Sequence, residues 1–326
     1  MHDARPRGLA FFFGRRLNKL RLAAEKRAKA GPNRRIKVLP SRLGLWSLPT
    51  STATMSVNAE LRKLEIDIPS QPESLVKLSL LLAEDDVNQQ DVAQLVQADM
   101  ALAAAVMKAV NSSLYGLSGR VQSVQQAITY LGTREVAGIT FEMGLRAAFP
   151  PAVELEPIWQ RASRRGLLMG RLAAALGLDA WAAHSAGLFE ECGKAALYRH
   201  APDHYRAMLR AAGNDGDLCQ LEHTGFGVSH DALGAALCES WGLGQDAVIS
   251  VRRHVVAQGM LILTAPPARR AVLALSVVIW ALMQAPETLD EVAAQVAPQA
   301  GLDETLVLRA VRRLAEDLLA AEAHGR

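Results

Sequence analysis

The chain has 326 residues, half of them apolar and about a fifth charged, so it can bury one large core or two small ones and is not a disordered or fibrous chain. Three widely spaced cysteines, Cys192, Cys219 and Cys238, exclude a disulfide framework and a Cys-x-x-Cys zinc site, and fit a reducing compartment. The net charge of +3 conceals an asymmetry. Residues 1–46 carry thirteen Arg and Lys against Asp3 and Glu25, a net +11, so the other 23 basic and 31 acidic residues leave the body at −8.

In chain order, residues 1–57 read as a basic arm and linker. Ala10, Phe13, Leu17, Leu20, Ala24 and Ala28 fall on one stripe of a helical wheel. Arg15, Arg16, Lys19, Lys26, Arg27 and Lys29 supply charge mostly away from that stripe. Such a helix suits an anionic membrane surface, a protein partner or, less well, nucleic-acid phosphates, and it equally suits a solubilising extension. It makes a poor secretion signal, because Leu9–Phe13 is short and Arg15-Arg16 follows it. Gly31 to Val57 reads as linker.

Beyond the linker the pattern is helical, and the expected class is all-α. Ser70-Gln71-Pro72-Glu73 reads as a capping box with a first-turn proline, ahead of Leu75, Leu78 and Leu82. Short helices follow around Val92–Val96 and Leu102–Val110. Ser123-Val124-Gln125-Gln126 is a second capping box, leading to Leu131 and a stop at Gly132. Further helices are expected at about 134–147, 157–176, 180–198, 201–212, 229–241, 245–257, 266–284, 287–298 and 303–323. No β-branched alternation is long enough for a strand. No apolar run reaches the roughly eighteen residues of a membrane span. The longest, Ala271 to Met283, has the length of a core helix, so the chain is expected to be soluble and cytoplasmic.

Three segments carry a family resemblance. The first runs from Ile68-Pro69 through Asp99-Met100-Ala101-Leu102 and Lys108-Ala109-Val110-Asn111-Ser112-Ser113-Leu114-Tyr115-Gly116 to Ile128-Thr129-Tyr130-Leu131-Gly132. The second is Gly187-Leu188-Phe189-Glu190-Glu191-Cys192-Gly193-Lys194. The third runs from Glu222-His223-Thr224-Gly225 through His230-Asp231-Ala232-Leu233-Gly234 to Trp241-Gly242-Leu243 and His254. In this order they resemble the HDOD family, bacterial signalling domains related to the HD metal-dependent phosphohydrolases, over residues 61–257. The family has Pro where this chain has Met100. The resemblance implies a multi-helix domain, with residues 61–150 as an N-terminal half and 151–257 as an HD-like half. Residues 258–326 form a helical extension packing on it. Read without the family, Asn111 and Gly116 bracket a helix exit, Tyr115 anchors it with its hydroxyl near water, and Trp241 and Leu243 are core.

The resemblance also fixes where chemistry is expected. In the phosphohydrolases an adjacent His-Asp pair grips a divalent metal. Here Glu190 and Glu191 stand in its place, and Arg161 stands near the position of an earlier His ligand. Neighbouring helical residues point about 100° apart, so at most one of the two glutamates should face a given pocket. A hydrolytic metal needs a ligand set with an open position for water, and a degenerate site without metal or cofactor is expected. Arg161, Arg164, Arg165, Glu190, Glu191, His230 and His254 are the candidates for an ion-pair cluster or an anionic-ligand site. No phosphate-cradling glycine loop is present, and the adjacent Ser229, His230 and Asp231 do not make a triad. The expected function is a non-catalytic signalling scaffold acting through protein partners or an anionic ligand. The alternatives are an atypical metal-dependent phosphohydrolase or a membrane- or RNA-associated adaptor working through the arm. By resemblance, such modules serve networks controlling motility, stress responses and cyclic-dinucleotide turnover.

Overall fold

A computed structural model describes residues 34–36, 66–82, 87–115, 117 and 119–324. The arm residues Arg15, Arg16, Lys19, Lys26, Arg27 and Lys29, and most of the linker, lie outside them. Two three-residue strands, β1 (Arg34–Ile36) and β2 (Ile66–Ile68), pair antiparallel with Arg35 opposite Asp67. They were not expected, since three residues are too few for an alternation pattern to register. The other main elements among the described residues are helices: α1 (Glu73–Leu81), α2 (Gln89–Gln97), α3 (Met100–Val110), α4 (Val124–Leu131), α5 (Thr133–Ala147), α6 (Glu156–Ala175), α7 (Ala180–Phe189), α8 (Cys192–His200), α9 (Pro202–Ala211), α10 (Asp215–Phe226), α11 (His230–Ser240), α12 (Gln245–Met260), α13 (Arg270–Gln284), α14 (Leu289–Val296) and α15 (Glu304–His324).

The helix starts follow side-chain chemistry in most places. Ser123 Oγ accepts from the Gln126 N–H at 3.1 Å, and the Gln126 side chain reaches back to the Gln122 N–H at 2.8 Å, so this capping box forms with its return bond one residue early. Asp99 caps α3 through the Ala101 and Leu102 N–H groups. The box expected at Ser70 does not form. α1 begins at Glu73 behind Pro72 with no side-chain cap, because Pro72, whose side chain offers no acceptor, occupies the cap position. Gly132, at φ +88°, ends α4 and opens α5, a backbone conformation that glycine adopts freely.

Asn111 works differently from the expected left-handed exit. Its φ is −84°, and its amide donates to Met107 O and Val121 O while its Oδ1 accepts from the Val121 N–H. The side chain thus pins the loop after α3 rather than turning it. Tyr115 is half-buried and packs against the core, and its phenol is pushed well up by burial first, then by the Glu142 and Glu135 carboxylates.

The N-terminal and HD-like halves meet at aromatic side chains. Phe141 of α5 packs against Trp181, Phe189 and Trp241, with ring centroids 5.1–6.2 Å apart. The buried Trp241 donates Nε1–H to Pro69 O at 2.9 Å, tying the end of α11 to the chain just after β2. α13 is buried along Val272–Ile279 and packs on α6, α7 and α12, while α15 runs over α6 and the turn at Ser113–Tyr115. Among the described residues, Pro267–Gln284 is the one helical stretch long and apolar enough to cross a membrane, and half of it is buried inside the fold.

Two glycines of the second motif have specific packing duties. A Cβ on Gly187 would lie 2.8 Å from Gly166 Cα, so α6 and α7 touch backbone to backbone there. A Cβ on Gly193 would lie 1.9 Å from the His230 carbonyl oxygen, where α8 meets the start of α11. These contacts bring residues 165, 190, 194 and 230 into one neighbourhood.

Candidate functional site

The expected single helix over 180–198 is broken at the two residues that matter most. α7 ends at Phe189 and α8 starts at Cys192, leaving Glu190 and Glu191 in a turn. The break overturns the expectation that only one carboxylate could face the site, because both are fully buried and both converge on Arg165. Arg165 Nη1 donates to Glu190 Oε2 at 2.9 Å and to Glu191 Oε1 at 3.4 Å. Arg161, one turn earlier on α6, donates to both oxygens of Glu191 at 3.5 and 3.2 Å, with a side chain 37% exposed. Arg164 is half-buried on the same helix.

The pattern extends beyond the residues singled out from the sequence. Lys194 Nζ donates to Glu191 Oε2 at 3.1 Å and to Asp215 Oδ1 at 2.7 Å. Gln258 Nε2 donates to Glu190 Oε2 at 3.3 Å and to Ser276 Oγ at 3.2 Å, which draws α13 into the site. Glu222 Oε1 accepts from the Tyr205 hydroxyl at 2.6 Å, and Glu222 Oε2 accepts from the His230 backbone N–H at 2.7 Å. His230 and His254 are both fully buried, their rings 5.8 Å apart.

The electrostatics follow from this packing. Burial alone would raise the Glu191 carboxyl, but Lys194, Arg165 and Arg161 outweigh it and hold Glu191 well below the usual range. Burial would lower Arg165 and Lys194, but Glu190, Glu191 and Asp215 outweigh it at Arg165, and Glu191 and Asp215 at Lys194, so both cations are raised. Burial likewise opposes the ionised Asp215, and Lys194 reverses it to hold Asp215 low. Burial lowers His254, which stays neutral. Glu191 and Glu190 Oε2 are therefore already neutralised by a guanidinium and an ammonium. The adjacent positions that hold a metal in HD phosphohydrolases do not fit one here.

Asp215, Glu222, Lys194 and Gln258 were missed as site residues. Asp215 and Glu222 lie on α10, a helix not expected, because its apolar pattern is weak. The available signal was the start: Asn214 Oδ1 accepts from the Asp217 N–H at 2.9 Å, with Asp215 and Asp217 in the first turn. Lys194 was visible as part of the motif but not as the partner of Glu191.

The HDOD domain family model matches residues 68–256. An uncharacterised protein of Treponema pallidum (strain Nichols) is 26% identical over 212 residues, covering 64% of this chain but only 41% of that protein. Among solved structures, an HDOD domain protein of unknown function from Geobacter sulfurreducens superposes with a TM-score of 0.62 at 18% identity, covering 78% of this chain and 92% of that one. A protein named for signal transduction from Marinobacter aquaeolei VT8 gives 0.58 at 23% identity, covering 79% of this chain and 60% of that one. A protein named as a phosphohydrolase from Shewanella amazonensis SB2B also gives 0.58, at 17% identity, covering 79% and 95%. At these identities the structural likeness establishes the fold alone.

Proposed function

This chain belongs to the HDOD domain family, and from that premise we propose that it is a non-catalytic regulatory module that works by binding protein partners in the bacterial cytoplasm. The observation that carries the reading is the fate of Glu190 and Glu191. A hydrolase would turn the residues at these positions toward a metal and an attacking water. Here they are spent on Arg165, Arg161 and Lys194, which tie α6, the α7–α8 turn, α8 and α10 together.

An anionic ligand is the less favoured binding partner for this site, because Arg161 and Arg165 already have carboxylates. The basic arm is the segment that would contact anionic lipid, and comparing intact protein with a version lacking residues 1–46 on anionic vesicles tests it. The catalytic proposal is tested by incubating intact protein with phosphomonoesters, phosphodiesters and cyclic dinucleotides in Mg²⁺ or Mn²⁺. The expected result is no product above the protein-free control. Product formed in proportion to protein would overturn the reading.

A second reading, an atypical metal-dependent phosphohydrolase, is favoured by one observation. Asp215, His230 and His254 each offer a ligand atom within 4.8 Å of the others. The same assay decides between the two.

A further inference from the structure

Ser163 of α6 has one hydroxyl proton and two oxygens within its reach. Its Oγ lies 2.8 Å from Trp159 O, one turn back on the same helix, and it also hydrogen-bonds Oε1 of the buried Glu142 on α5. A carbonyl only accepts, so both bonds hold together only when Glu142 carries a proton and donates it to Ser163. Once Glu142 is ionised, the hydroxyl has to turn to the carboxylate and gives up Trp159 O. Arg146, one turn along α5, stands between two carboxylates. Its Nη2 is 2.7 Å from Glu156 Oε2 at the start of α6, and its Nη1 is 4.0 Å from Glu142 Oε1. One guanidinium thus has two claimants, and in this structure Glu156 holds it.

The other ionisable groups around Glu142 are already committed. On its own helix, Glu135 pairs with Arg171 of α6. Tyr115, from the turn after α3, keeps its phenol proton because burial pushes it up. His184 of α7 packs on Gly138, one turn from Glu142, and burial lowers it to about 4, so it is neutral. Glu73 and Lys77 of α1 pair with each other in solvent, and Asp91 of α2 and Lys108 of α3 are exposed. We propose that Glu142 and Arg146 form a proton switch on the joint between α5 and α6. With Glu142 protonated, Arg146 holds Glu156 and the first turn of α6. When the proton leaves, Arg146 turns to Glu142 and Glu156 is released. A rotated hydroxyl and a shifted guanidinium separate the two states, so the core keeps its packing. Burial raises Glu142 to about 7, which places the exchange near neutral pH. The segment that loosens is 150–155, the link between the two halves. Glu156 closes its C-terminal end. Glu154 accepts from the Tyr198 hydroxyl at 2.8 Å and from Arg206 Nε at 2.7 Å, and anchors the segment in both states.

The test reads local opening rather than overall stability. Full-length protein is followed by hydrogen exchange with mass spectrometry at about pH 5.5 and about pH 8.5, with rates corrected for the intrinsic effect of pH. Amides of 150–162 should lose protection by about threefold at the higher pH, the size of a part-exposed ion pair. The first turn of α4, capped by the uncharged Ser123, should keep its protection. Glu142→Gln, uncharged at both pH values and still able to donate to Ser163, should hold 150–162 at the low-pH level throughout. Arg146→Gln takes away the moving cation and should leave 150–162 loose at both. Protection of 150–162 in the parent that does not change with pH, or a change that persists in Glu142→Gln, overturns the proposal. So does an Arg146→Gln variant as protected as the parent at the lower pH. Arg146 and Glu156 are part-exposed, so Arg146→Gln decides if Glu142→Gln does not fold.

Discussion

Buried glutamates in two parts of the molecule meet the same burial and respond in opposite ways. Glu191, in the HD-like half, is ringed by Lys194, Arg165 and Arg161 and is held ionised. Glu142, on α5 in the N-terminal half, accepts from the Ser163 hydroxyl, has Arg146 only at 4.0 Å, and is pushed up by burial to about 7. Burial sets the same cost at both places, and the number of close cations decides whether the carboxylate keeps its charge. The HD-like half thus holds a buried charge cluster, whereas the ion pairs described in the N-terminal half, such as Glu135–Arg171, are partly exposed and its buried Glu142 carboxyl is poised to titrate.

The largest effect that would break this comparison is at Arg165. Arg165→Met leaves the buried Glu190 without its guanidinium and takes one of three cations from Glu191, and should cost about 3–5 kcal/mol, read as a lowered urea midpoint at unchanged slope. A variant as stable as the parent would mean that the charges do not lock this half.

Next in size is Glu142, which sharpens the contrast through pH. The unfolded carboxyl titrates near its ordinary 4.5, and the folded one at about 7. Between these values the folded state keeps a proton that the unfolded chain has released, so this group's contribution falls as pH rises from about 4.5 to about 7 and stays low above it. Glu142→Gln should remove that slope and gain on the order of 3 kcal/mol at pH 8, seen in Tm against pH. Glu191 acts with the other sign. Its folded value is depressed, so its contribution is present above about 4.5 and is lost as pH falls below that.

Asn111→Ala should cost roughly 1–3 kcal/mol by leaving Val121 unpaired at both its N–H and its carbonyl. Because no charge is involved, the loss should be insensitive to salt and to pH between 5 and 8. The smallest effect is at the α4 cap, where Ser123→Ala should cost about 1 kcal/mol by chemical denaturation.

Much of the fold was legible in the sequence because long helices with apolar faces write themselves into a 3.6-residue period. The expected helices at 157–176, 245–257 and 303–323 lie within a few residues of α6, α12 and α15. α10 was not legible, since Leu218, Gly225 and Phe226 are too sparse an apolar face to stand out. The site was half legible. Arg161, Arg165, Glu190, Glu191, His230 and His254 were found, and the structure brings them together. Their geometry was not found, because the turn at Glu190–Glu191 is set by tertiary packing, with Gly187 against Gly166 and Gly193 against the His230 carbonyl. Nothing in local propensity marks that break.

Glu190 and Glu191, on the proposed reading, hold the fold together and do not catalyse. The most direct test is phosphodiester turnover of intact protein and Glu190→Gln in Mn²⁺, with each sample matched for folded fraction by its denaturation midpoint. Background turnover is expected in both, with a lowered midpoint in the variant. Turnover in the parent that Glu190→Gln abolishes while the protein stays folded would contradict it.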